Sequence, residues 1–233
     1  MLEETLRRGL EEMHLPCTPD RLQRFRRYYD LLEEKNRVMN LTAISGEDES
    51  ATKHFLDSAA PLLRFSMAGK RVVDVGSGAG FPGLPLKILA PDIRLTLLDA
   101  QQKRVDFLSE VCAALGFDDV ECVHARAEEE SGRRGQYDFA LARAVARLNV
   151  LAELCLPYVK VGGAFLALKG PGAAEELAEA KQAVRLLGAE AEQIFDYAVP
   201  GETLRHNIVV LRKTAPTPKQ YPRRFAQIKK SPL

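Results

Sequence analysis

The sequence predicts an α/β fold with a mostly parallel sheet and a helical N-terminal extension. Three observations carry that prediction. From residue 71 onward, short apolar runs alternate with helical patterns, the signature of strand–helix–strand units. The first run, Val72, Val73 and Val75, ends in a glycine-dense turn, Gly76-Ser77-Gly78-Ala79-Gly80, and a helical pattern resumes after Phe81-Pro82-Gly83. The last two runs, 191–199 and 208–212, follow one another with no helix between them, so they close the sheet as an antiparallel hairpin. The reading divides the 233 residues into a helical extension (1–67), a core domain (68–213) and a basic tail (214–233).

The elements can be justified in chain order. Leu2, Leu6, Leu10 and Met13 recur at helical spacing with Arg and Glu on the other side. Pro16 and Pro19 break that helix, and Thr18-Pro19-Asp20 starts the next, in which Leu22, Phe25, Tyr29 and Leu32 share a face. Arg21, Arg24 and Arg27 line another face, read here as solvated. Asn40-Leu41-Thr42 follows, then Lys53 to Ser58. His54, Asp57 and Ser58 suggest a hydrolase triad, but no G-x-S-x-G turn accompanies them, so they read as a polar cluster lining a pocket. Strands are expected at 72–75, 94–99, 120–123, 137–141 and 164–168, and helices at 103–115, 148–158 and 173–187. Gly162-Gly163 is expected to turn the chain into the fifth strand.

Composition narrows the function classes. Hydrophobic content is 46%, ordinary for a globular protein, and no apolar stretch is long enough to cross a membrane. Cys17, Cys112, Cys122 and Cys155 form no C-x-x-C pair, and the four histidines show no metal-ligand spacing. Scattered thiols fit a reducing, cytoplasmic setting, with no metal and no membrane partner. The net charge of +1 hides an asymmetry: from Arg212 onward there are seven basic residues and no acidic one, so the body is net acidic. A basic tail on an acidic body suggests a polyanionic partner; a solvated chain end is the plainer alternative.

The glycine turn points to a nucleotide-sized ligand at the carboxyl end of a parallel sheet. The dinucleotide spacing G-x-G-x-x-G fails from Gly76, because Phe81 stands where the third glycine belongs. It is met only from Gly78, two residues late. The denser D-x-G-x-G-x-G, from Asp74, resembles motif I of Rossmann-like S-adenosylmethionine (SAM) methyltransferases, whose seven-stranded sheet carries one antiparallel strand. That resemblance implies SAM binding around Asp74, Gly76 and Gly78, with the Asp74 carboxylate facing a ligand ammonium. Asp99 ends the second strand 19 residues after Gly80, near where such folds place an acid on the ribose. Ala127 and Glu128, after the third strand, are the candidates to bracket the adenine.

The fourth strand empties into Ala142-Arg143-Ala144, where methyltransferases meet their acceptor. This is not the N/D-P-P-Y/F motif of exocyclic-amine methylation, and Cys155 inside a helix is a poor nucleophile for carbon-5 chemistry. An acceptor with its own lone pair, such as guanine nitrogen 7, needs neither device and no general base. Arginine can read the guanine edge.

The ordered set Asn40-Leu41-Thr42, Lys53 to Ser58, Asp74 to Leu86 with its Phe81-Pro82-Gly83 extension, Asp99 with Lys103-Arg104, Arg143-Ala144, Lys169-Gly170 and Tyr221-Pro222-Arg223 resembles one family. It is the bacterial 16S ribosomal RNA guanine-N(7) methyltransferase family, also called glucose-inhibited division protein B. The resemblance implies SAM contacts from Gly76, Phe81, Ala127, Glu128 and Arg143, with Asp99 near the ribose. It implies substrate positioning by Arg143, Lys169, Arg205, Asn40, His54 and Asp57, and RNA contacts from Lys103, Arg126, Arg223 and Arg224. The implied partner is 16S rRNA in the small ribosomal subunit, presented as a single-stranded loop. The chain departs from the family in the tail, with Ala226 and Ile228 where a glycine and a proline are usual, which bears on the tail's turn geometry.

Overall fold

The computed structural model describes residues 1–143 and 146–233; Ala144, singled out with Arg143 above, lies outside the described residues. Seven strands form one sheet: β1 (Arg71–Val75), β2 (Arg94–Asp99), β3 (Glu121–His124), β4 (Tyr137–Arg143), β5 (Val159–Lys169), β6 (Ala189–Ala198) and β7 (Arg205–Lys213). Their order is β3-β2-β1-β4-β5-β7-β6. The first five are parallel, and β7 runs antiparallel to both of its neighbours. The strand order reverses between β1 and β4, so the crevice at their carboxyl ends is where an open sheet of this kind receives a ligand.

Successive strand residues face opposite sides, and the packing follows that alternation. Val72, Leu95, Phe139, Leu166 and Val210 join a core with Leu2, Leu6, Phe25, Tyr28 and Leu32 from helices α1 (Leu2–Glu12) and α2 (Pro19–Met39). The N-terminal extension is therefore one cover of the sheet. On the opposite face, Val73, Phe165 and Val209 pack with Leu151, Leu156, Ala180 and Ile228. The helix α2 starts as its sequence suggests: the Thr18 hydroxyl accepts from the Arg21 N–H at 3.4 Å, with Pro19 in the first turn. It ends at Asn40, which adopts a left-handed conformation (φ 48°).

After α2 the chain forms a short α-turn, α3 (Glu47–Glu49), a π-helical segment at Ser50–Leu56 and a further turn, α4 (Asp57–Ala59). The remaining helices are α5 (Gly83–Leu89), α6 (Gln102–Leu115), α7 (Leu148–Cys155), α8 (Ala173–Leu186) and α9 (Phe225–Lys230).

Three expectations needed correction. The helix expected to run to residue 158 stops at Cys155 and tightens into a 3-10 turn, Leu156–Tyr158, at Pro157. Gly162-Gly163 is not a turn before the fifth strand but lies within β5. The β4–β5 register shifts between Tyr137 and Phe139, and a Cβ on Gly163 would stand 2.6 Å from the Asp138 carbonyl oxygen, so the backbones meet there.

Third, the alternative of a wholly solvated tail fails: the Thr214 and Ala215 N–H groups donate to the Gly188 carbonyl at 2.9 and 3.0 Å and Ile228 is fully buried, while Lys219, Arg224, Lys229 and Lys230 stay exposed. Arg223 meets the buried Glu153 with its backbone N–H at 2.7 Å and its guanidinium at 2.6 and 2.9 Å. Ile228, at the position of the family's departure, is what seats α9 against the core.

Glu153 is wholly buried, so Arg223→Ala would strand an uncompensated carboxylate. We expect unfolding free energy to drop by about 3 kcal/mol, seen as an earlier urea midpoint. A midpoint within error of wild type would show that the tail is not part of the core.

Candidate active site

The glycine turn gets its shape from three positive-φ residues, Gly76 (φ 74°), Gly78 (φ 60°) and Gly80 (φ 104°), a region costly for residues with a Cβ. Gly83 serves a different purpose, since a Cβ there would lie 2.6 Å from Leu97 and 2.9 Å from the Asp74 carboxylate. Its absence lets α5 sit directly on β1 and β2. The extension holds the turn from outside: the Tyr28 hydroxyl donates to the Ala79 carbonyl at 2.5 Å, and its ring stacks on Phe81 at 5.4 Å. Tyr28 was missed in the sequence, although its spacing of three from Phe25 was the available signal.

Asp74 does not face the ligand crevice. It is fully buried under the turn, with one oxygen accepting from the Gly83 N–H at 2.9 Å and the other without a partner among the described residues. Burial pushes its carboxyl up to about 7, against the Gly83 bond and the Arg143 charge, with nearby Asp99 adding to the rise. A protonated acid relieves the cost of leaving that oxygen unpaired.

Asp99 is placed differently. Its carboxylate accepts from the Gly78 N–H and the Gln101 N–H, both at 2.9 Å, and it lines a cavity of about 300 Å³. Val75, Gly76, Leu98, Ala127, Glu128 and Leu154 share that cavity. A carboxylate has about four acceptor sites, so two remain for a ligand's hydroxyls. The Ala127 carbonyl accepts from the Tyr158 hydroxyl at 2.7 Å, which fixes that part of the cavity wall. Phe225 from the tail also lines this cavity, a residue that the sequence reading did not single out.

A larger cavity, about 700 Å³, opens at the carboxyl ends of β4 and β5, and Arg143 lines it. Arg143 donates to Asp57 at 2.8 Å, to the Lys53 carbonyl at 3.0 Å and to His54 Nδ1 at 3.2 Å, and its guanidinium lies 5.1 Å from the Phe81 ring centre. Because arginine only donates, His54 Nδ1 must accept; the ring proton then sits on Nε2, directed at the Thr42 hydroxyl 2.8 Å away. Burial, with the Arg143 charge, takes His54 down to about 3, so the ring is neutral at physiological pH. It stacks flat on Phe81 at 4.3 Å. Ser58 donates to the His54 carbonyl, so no triad forms.

Asp57 gathers three partners: Arg143, the Tyr197 hydroxyl at 2.7 Å and His206 Nδ1 at 2.8 Å. Burial would raise its carboxyl, but the His206 bond, the Arg143 charge and the Tyr197 bond outweigh this and hold it below the usual range. The same bond raises His206. Tyr197 and His206 come from the closing hairpin, distant in sequence, and no local pattern announced them.

The other residues singled out from the sequence scatter. Lys169 lines the larger cavity, but its ammonium is bound to Glu176 at 2.8 Å and the Ala146 carbonyl at 2.6 Å. Asn40 is exposed at its helix end, and Arg205 is exposed and pairs with Asp196; neither lines the cavity. Lys103 and Arg224 are exposed, Arg126 lines the smaller cavity, and Arg223 is committed to Glu153. In the arginine stripe, Arg24 docks on the Leu115 carbonyl at 2.8 Å.

The raised Asp74 carboxyl makes a pH prediction. Its contribution to stability is complete below the unfolded value near 4 and is lost as pH rises through about 7. Asp74→Asn lacks that loss, so its melting temperature should gain on wild type above pH 7, with the gain fading toward pH 5. A difference between the two proteins that is flat with pH would contradict the assignment.

The family model described as rRNA small subunit methyltransferase G matches residues 21–204. A ribosomal RNA small subunit methyltransferase G from Pelotomaculum thermopropionicum is 45% identical, covering 100% of this chain and 99% of that one. One from Streptococcus pneumoniae is 44% identical over the full length of both. Among solved structures, a SAM dependent methyltransferase from Aquifex aeolicus superposes with a TM-score of 0.51 at 19% identity, over 67% of this chain and 90% of that one. M. jannaschii TYW2 in complex with AdoMet gives 0.54 at 12% identity, over 68% and 76%. These two share the fold; the family match and the full-length relatives decide the rest, and the chain belongs to the rRNA small subunit methyltransferase G family.

Proposed function

We propose that the protein transfers the methyl group of SAM to nitrogen 7 of a guanine in the 16S rRNA of the small ribosomal subunit, acting in the cytoplasm. No helix among the described residues is long and apolar enough to cross a membrane. The observation that carries the reading is the position of Arg143 and Phe81. They stand in contact, with Phe81 on the glycine turn and Arg143 lining the larger cavity.

The smaller cavity fits the adenosyl part of the donor. Its walls Val75, Leu98 and Leu154 are apolar, Asp99 has acceptor sites for ribose hydroxyls, and glycine at 76 leaves room for close approach. When bound, SAM supplies an electrophilic methyl group on a sulfonium. Guanine nitrogen 7 already carries an in-plane lone pair at neutral pH, so the chain has no proton to remove. The site agrees with that economy. His54 is neutral with both ring nitrogens engaged, Asp57 is ionised and shared among three donors, and Lys169 is paired. What these residues do is orient. Effective concentration and alignment alone can contribute about 7 kcal/mol or more to such a transfer.

Arg143 gives at most part of its fork to a base, because three of its contacts go to Asp57, His54 and the Lys53 carbonyl. Of its five N–H groups, the Nε–H and one on Nη2 have no partner among the described residues, and these are what it can offer to the guanine edge.

The test is methyl transfer from labelled SAM to small-subunit rRNA lacking the modification, followed by borohydride and aniline cleavage, which marks 7-methylguanine. Cleavage at one guanine is expected; labelled RNA without cleavage would refute nitrogen 7, and no labelling with SAM demonstrably bound would refute the enzyme. Asp99→Asn should raise the KM for SAM about tenfold, the loss of one charge-assisted bond, with the KM for RNA unchanged. Asp57→Asn should lower kcat instead, because Arg143 loses its charged anchor. Equal effects of both variants on both parameters would argue against separate donor and acceptor sides.

A further inference from the structure

Phe225 stands at the smaller cavity, on a tail that the fold holds in place. Among the described residues it is the one Phe or Tyr side chain more than a third exposed, at 39%. Single exposed apolar residues are ordinary, but this one lines the cavity of about 300 Å³ beside Leu98, Asp99, Ala127 and Leu154. A loose chain end does not set its position. Two residues earlier, Arg223 grips Glu153 on α7 with its backbone N–H at 2.7 Å and its guanidinium at 2.6 and 2.9 Å. Glu153 directly precedes Leu154 of the cavity wall. Three residues later, Ile228 is fully buried in the apolar cluster that also contains Ala127 and Leu154. Anchors on both sides therefore hold Phe225 against that wall.

The chemistry of the cavity says what such a ring is for. Val75, Leu98, Ala127 and Leu154 are aliphatic, and among the described residues no other aromatic side chain lines the space. SAM has one part with a flat π face, its adenine. The ribose needs hydrogen-bond partners, which Asp99 offers with the acceptor sites left after the Gly78 and Gln101 N–H groups. The methionine end is charged and leads toward the glycine turn, where the sulfonium must reach the acceptor. The base is then the part left for the apolar wall. Every nucleobase has a π face that stacks on an aromatic side chain, so the contact needs no matching hydrogen bonds.

We propose that Phe225 is a donor-binding residue whose ring covers the adenine of SAM, so that the basic tail forms part of the donor site. This rests on the reading of the smaller cavity as the donor's. It goes further by giving the base to a residue of the tail, outside the strand-end loops that bound the rest of the cavity. The tail then has a task at the donor that its charge does not express.

Titration calorimetry of the full chain with SAM and with S-adenosylhomocysteine tests this without turnover. Phe225→Ala should raise the Kd of both about tenfold, the loss of one base-stacking contact. Phe225→Tyr keeps the π face and should keep the wild-type Kd. Adenosine, competing with SAM, should lose affinity by the same factor, because the contact is to the base. The side chain is more than a third exposed, so unliganded Phe225→Ala should melt within error of wild type. Should it melt earlier, Phe225→Leu decides: it keeps apolar bulk without the π face, and a Kd equal to wild type overturns the proposal. Asp99→Asn separates this inference from the reading beneath it. Weakened binding in Asp99→Asn with wild-type binding in Phe225→Ala overturns the adenine contact alone. Wild-type binding in both variants places the donor elsewhere and overturns both. A change in Phe225→Ala confined to the KM for RNA also overturns the proposal.

Discussion

The reactive end of this sheet depends on the buried ion pair between Arg143 and Asp57. Arg143 ends β4 and Asp57 directly follows the π-helical segment of the extension, so one 2.8 Å contact ties the sheet to its helical cover. Buried pairs of this kind contribute little net stability, because desolvation offsets most of the attraction. Their value here is geometric. The pair fixes where the guanidinium lies, and through it the ring of Phe81 and the tautomer of His54. Tyr197 and His206 hold the other oxygen of Asp57, so the carboxylate cannot rotate away without abandoning two further bonds.

Placement at this site therefore comes from four separated stretches of chain. The glycine turn supplies Phe81, the residue after the π-helical segment and the end of β4 supply the ion pair, and the closing hairpin buttresses it. The π-helix matters locally. Such segments are rare and tend to occur at functional sites, and this one carries Lys53 and His54 immediately before Asp57. Tyr28 couples the same cover to the glycine turn, so the extension shapes both cavities rather than merely shielding the sheet.

Charge in the molecule is arranged by partnering more than by patches. The tail carries many cations, yet Arg223 neutralises Glu153 inside the protein, and Lys213 sits under the sheet end. Counting charges along the sequence located a basic segment but not which of its charges reach solvent. Lys169 is a similar case: it ends β5 beside the larger cavity, and Glu176 absorbs its charge. Lys87, Arg143, Lys169 and Arg223 thus act as internal ties, while Lys213 has no carboxylate partner among the described residues.

The sequence by itself determined the α/β class, the strand order of reading, the glycine turn and the acid that follows it. Each of these is a local rule: alternation of strands and helices, glycines where φ is positive, an acid at a strand's end. Asp99 was legible for that reason, whereas Phe81 was singled out by the family resemblance. Asp74 was legible as a residue but not as to its surroundings, because burial beneath the turn, not spacing, keeps it from the ligand. Tertiary structure alone decided that Asp57 meets His206 and Tyr197 across some 140 residues of chain, that Ile228 and Arg223 anchor the basic tail, and that Lys213 has no carboxylate partner among the described residues. Those outcomes depend on which side chains converge after the sheet and its two covers have packed, and no periodicity along the chain encodes that convergence.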